Sequence, residues 1–67
     1  MNTAATPASL TSVFSKAHVR WESASRALYR AEVQGKSPRT IAYRRERERD
    51  AWTAREHARR AAGIPAV

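Results

Sequence analysis

A chain of 67 residues without cysteine is one small domain at most, and neither a disulfide nor a thiolate-bound metal can staple it. Its formal charge of +7 suits a polyanionic partner, and no run approaches the ~20 apolar residues of a membrane span. The apolar fraction is 42%, but half of those residues are alanine, which buries little area, so a lone core is marginal and a second copy or another molecule is expected to complete it.

The opening stretch MNTAATPASL has neither a basic leader nor an apolar segment, so it does not read as a secretory signal and a cytoplasmic protein is expected. Residues 1–6 are small and polar and read as a flexible N-terminus. Thr6-Pro7 is a helix start, a capping hydroxyl followed by a proline at the first helical position.

Helix 1 is expected over residues 7–34. Leu10, Phe14, Ala17, Trp21, Ala24, Leu28 and Ala31 are spaced 4-3-4-3-4-3, a heptad seam with large residues at one position and mainly small ones at the other. On a wheel with Trp21 at the seam, Lys16, Arg20, Arg26 and Arg30 fall on the opposite side with no acid among them. The four cations span about 21 Å at 1.5 Å per residue. Lys36 and Arg39 extend the positive field past the turn. An unneutralised basic stripe on an outer face is the form taken by a phosphate-tracking surface, and also that of a merely solvated helix.

Gly35 ends helix 1 as a left-handed C-terminal residue, and Ser37-Pro38 repeats the start signal. A turn at 35–37 this short makes the two helices antiparallel neighbours. The fold class expected is all-α, an antiparallel two-helix hairpin that dimerises into a four-helix bundle.

Helix 2 is expected over residues 38–62, with Gly63-Ile64-Pro65 closing it and a tail over 63–67. Ala51, Ala54, Ala58 and Ala61, spaced 3-4-3, read as its seam, with Trp21 folded near Ala51 and Trp52, Phe14 near Ala58 or Arg59, and Leu10 near Ala62. Extended backward, that seam reaches Arg47 and Arg44 where apolar residues belong. The run YRRERERDAW carries four arginines and three acids, and the helical pairs Arg44–Glu48, Arg45–Glu48, Glu46–Arg49 and Arg47–Asp50 neutralise most of it. Trp52 shares a flank with Ile41, Glu48, Arg55 and Arg59, a mixture of types that suits a protein interface.

Catalysis finds little support. His18 and His57 lie on different helices without further metal ligands, and both read as exposed. There is no glycine-rich phosphate loop, no nucleophile–base signature and no carboxylate pair in a cleft. No catalytic residue, metal or cofactor is expected.

GKSPRTIAYRRERE resembles the start of a helix in the core-binding domain of tyrosine recombinases through Ser37, Pro38, Thr40 and Tyr43. The tyrosine arrives one residue early and the following apolar positions are missing, so no function is carried over. In form the chain is similar to the small helical hairpins that dimerise into four-helix bundles, the plasmid copy-number regulator Rop among them, which binds RNA on its bundle surface.

Two functional readings result. The first is a non-catalytic protein that binds nucleic acid through phosphate contacts, as a homodimer, using Lys16, Arg20, Arg26, Arg30, Lys36 and Arg39. The second is a protein-interaction module, a small adaptor, inhibitor or assembly component, that docks through Ile41, Arg44, Arg47, Glu48, Trp52, Arg55 and Arg59. Arginine outnumbers lysine eleven to two, a bias that GC-rich coding sequence produces without any binding role.

Overall fold

A computed structural model describes residues 7–66 and consists of two helices, α1 (Pro7–Val33) and α2 (Pro38–Ala61). Both segments are rich in alanine and arginine, residues that lose little on becoming helical. Cross-helix contacts run in reverse order: Glu32 meets Arg45, Trp21 meets Glu48, and His18 meets Arg55. The pair is therefore an all-α antiparallel hairpin. The expected Thr6 cap lies outside the described residues.

The turn follows from its backbone chemistry. Gly35 sits at φ 64°, and the amides of Gly35 and Lys36 donate to the carbonyls of Glu32 and Ala31 at 3.1 and 3.0 Å. That pattern closes α1 with Gln34 as its last, half-helical residue. Ser37 then opens α2: its Oγ accepts from the Thr40 amide at 3.2 Å, and Pro38 stands where no amide donor is needed. The far end repeats the closing device. Gly63, at φ 69°, and Ile64 donate to Arg60 and Arg59, and Ala62 is the cap. Each helix thus ends one residue before the expected 34 and 62, because those two residues serve as caps.

All seven expected seam residues of α1 are buried or half-buried. The expected seam of α2 needs correction: Ala51 and Ala58 face α1, but Ala54 and Ala61 are exposed. The contact face is rotated toward Ile41, Glu48, Arg55, Arg59 and Ala62, all half-buried. The physical reason is area. Phe14 and Trp21 gain far more contact from the Trp52 ring and the Arg55 side chain than from alanine methyls.

The molecule is a single layer two helices wide, with extents of 51 × 26 × 13 Å. Every helix then keeps a face in water. Among the described residues only Ala31 and Ala58 are buried, at 5% and 9% exposed, and no large side chain is fully enclosed. No described helix is long and apolar enough to cross a membrane.

The turn makes a direct prediction. A side chain at Gly35 would meet no neighbour, so Gly35→Ala is costly through its backbone conformation alone. Urea denaturation followed by circular dichroism should show Gly35→Ala and Ser37→Ala each less stable by about 1 kcal/mol.

Candidate nucleic-acid interface

The two edges of the seam differ in chemistry. One edge carries an aromatic cluster organised by a cation. The Arg55 guanidinium lies 5.1 Å from the Phe14 ring, 5.4 Å from Trp21 and 4.8 Å from Trp52. The two indoles meet edge to face at 5.2 Å. Arg55 Nε donates to His18 Nδ1 at 2.9 Å, and its Nη1 donates to Glu56 at 2.7 Å. An accepting Nδ1 places the imidazole proton on Nε2, which faces Glu22 at 3.6 Å. The guanidinium thus has ring faces, an acceptor nitrogen and a carboxylate around it, which is why its side chain tolerates only 17% exposure.

The cluster extends both ways along the seam. Trp21 Nε1 donates to Glu48 at 2.6 Å, satisfying an indole N–H that would otherwise lie idle between the helices. Arg59 donates to Glu56 at 2.9 Å and to the Ile64 carbonyl at 2.7 Å, tying the C-terminal segment back onto α2. Nearer the turn, Arg45 reaches Glu32 at 3.3 Å.

These contacts account for most of the acids. Glu22, Glu32, Glu48 and Glu56 are all engaged by His18, Arg45, Trp21, Arg55 or Arg59. None of the four helical ion pairs expected within YRRERERDAW forms among the described residues; Arg45 and Glu48, which belong to two of them, turn to α1 instead. His18 is likewise half-buried rather than exposed, whereas His57 is exposed as expected.

The other surfaces keep their positive charge. Lys16, Arg20, Arg26, Arg30, Lys36 and Arg39 are all exposed, and among the described residues no acid lies within ion-pair distance of any of them. The stripe of α1 therefore stands as an uncompensated line of cations. Lys16 to Arg20 and Arg26 to Arg30 are each one turn apart, about 6 Å of rise.

The flank of Trp52 divides. Glu48, Arg55 and Arg59 are held inside the hairpin by the contacts above. Trp52 remains 41% exposed, and Ile41 is half-buried. Arg44 and Arg47, expected to point along the seam, are exposed and rim an open groove on the opposite edge with Arg20 and Asp50. Alanines of both helices floor that groove. Sequence reasoning missed Arg55 as an organising centre; the signal was its seven-residue step from Glu48, which in turn lies seven from Ile41.

No family model, curated protein or solved structure matches this chain.

Two measurements check the cluster. Arg55→Met keeps an apolar stem and removes the guanidinium, and should lower stability by about 2 kcal/mol with loss of the near-ultraviolet tryptophan dichroism. Trp21→Phe leaves the Glu48 carboxylate without its donor and should cost about 1–2 kcal/mol, and Glu48→Leu, which removes the acceptor, should add less than its separate effect in the same chain, as a double-mutant cycle reads.

Proposed function

We propose that this protein is a non-catalytic nucleic-acid-binding protein that holds the phosphate backbone along the outer face of α1. The observation that supports this reading is the separation of charge. Four of the six acids are engaged along the seam or across the helices, whereas Lys16, Arg20, Arg26 and Arg30 stand exposed with no acid in range. Phosphates attract such a row by displacing the counterions that otherwise accompany it. Lys36 and Arg39 lengthen the contact past the turn. The sequence carries no recognition-helix motif, so contacts to the backbone are the reading, with little preference among sequences.

The stripe is complete on one chain, so this reading needs no second copy. Docking of a protein through the Trp52 flank is the second reading, and the exposure of Trp52 beside Ile41 favours it. Trp52→Ala does not separate the two cleanly, because Trp52 also packs on Trp21 and under Arg55.

Fluorescence anisotropy with a labelled duplex at increasing salt tests the proposal. The four contacts of the stripe predict a slope of log K against log salt of about −3 to −4, rising to about −5 when Lys36 and Arg39 also engage. Arg26→Glu with Arg30→Glu should weaken binding at least tenfold at low salt and flatten that slope by about 2. Binding and slope that match the parent chain would reject the stripe as the surface.

A further inference from the structure

The open groove on the far edge of the seam has a chemistry of its own. It has a volume of about 530 Å³ and runs from Ala17 to Ala27 along α1, about 15 Å or nearly three helical turns. Its floor is mostly methyl groups, from Ala17, Ala24 and Ala27 of α1 and Ala51 and Ala54 of α2, with Ser23 among them. Its rim is arginine: Arg20 from α1, Arg44 and Arg47 from α2. Among the described residues none of the three has a carboxylate within ion-pair distance, and Arg44 lies over the Tyr43 ring at 5.8 Å. Asp50 is the one acid on the lining.

We propose that this groove docks an amphipathic helix of an acidic partner protein, with apolar side chains seated on the alanine floor and carboxylates paired to Arg20, Arg44 and Arg47. Small floor residues let a third helix approach to the short end of the 8–10 Å range of interaxial distances. Three turns of groove accept apolar anchors at the i, i+3 or i+4, and i+7 positions of such a helix. Arginine is suited to the rim because its fork pairs two oxygens of a carboxylate at once.

Two other occupants fit less well. A phosphate strand would satisfy the rim but leave the methyl floor against polar sugar and phosphate, and the groove offers no aromatic ring on which a base could stack. A second copy related by a twofold axis would bring the same three guanidinium groups to the same place, with only its own Asp50 to offset them. Charge and floor together call for a partner that is acidic at its edges and apolar at its centre.

The full-length chain tests this with a labelled helical peptide of about 18 residues, leucines at the anchor spacing and glutamates beside them. The peptide should bind one to one at physiological salt. A version with glutamines for the leucines, and one with lysines for the glutamates, should each bind at least tenfold more weakly. Ala54→Trp fills the floor from an exposed position, and Arg44→Glu with Arg47→Glu reverses the rim. Each should weaken the peptide at least tenfold with the helical dichroism unchanged. Arg26→Glu with Arg30→Glu, outside the groove, should leave the peptide affinity intact, which separates this result from that of the nucleic-acid reading. Equal binding of the glutamine peptide, or no binding of the leucine–glutamate peptide, would overturn the proposal. So would a single-stranded oligonucleotide whose affinity Ala54→Trp abolishes, or a dimer in sedimentation equilibrium that the same variant dissociates.

Discussion

A two-helix layer 13 Å thick has no interior in the usual sense, and the Arg55 guanidinium is what holds its seam. It lies against three aromatic rings while bonding to a histidine nitrogen and a carboxylate. An aliphatic side chain there would bury comparable area but would leave the ring faces without a cation and His18 without a donor. A delocalised, weakly hydrated cation is suited to this half-dry position, which a lysine ammonium would not tolerate equally. The edge-to-face tryptophan pair and the bond from Trp21 to Glu48 lie on the same face of the seam as that group.

The same seat sorts the charge of the whole molecule. Glu56 bridges Arg55 and Arg59, Glu48 turns inward to Trp21, and Glu22 faces His18. Acids engaged in this way are not available to the outer cations. The charged groups are consequently sorted by place, with Glu22, Glu48 and Glu56 held at the aromatic edge and exposed cations on α1 and around the alanine groove. Net charge alone does not describe this segregation, which sets where the positive field of the hairpin is strongest. Arg20 belongs to both positive surfaces.

Expectations for α2 failed in an instructive way. Ala54 and Ala61 carry the right spacing for a seam, and alanine spacing alone does not distinguish a helix face that packs from one that lies open. What decided between the faces was the size of the partners on α1. Phe14 and Trp21 need wide surfaces, which Trp52 and the Arg55 stem supply, so the alanine line was displaced to form a groove. Arg44 and Arg47, which fitted poorly into a seam, are then rim residues in water and carry no desolvation penalty.

By itself the sequence determined the two helices, their antiparallel order and their ends. Those features rest on local chemistry: glycines able to take a positive φ, a serine able to cap, prolines where no amide is needed, and a heptad on α1. The outer stripe was legible for the same reason, since the positions of Lys16, Arg20, Arg26 and Arg30 follow from helical geometry. Only the tertiary structure decided which face of α2 packs, that Glu48 and Arg55 belong to the seam, and which acids are withdrawn from the surface. Those outcomes depend on contacts between residues 27 and 37 positions apart, and no local spacing rule ranks an arginine over three rings above an alanine line for such a contact.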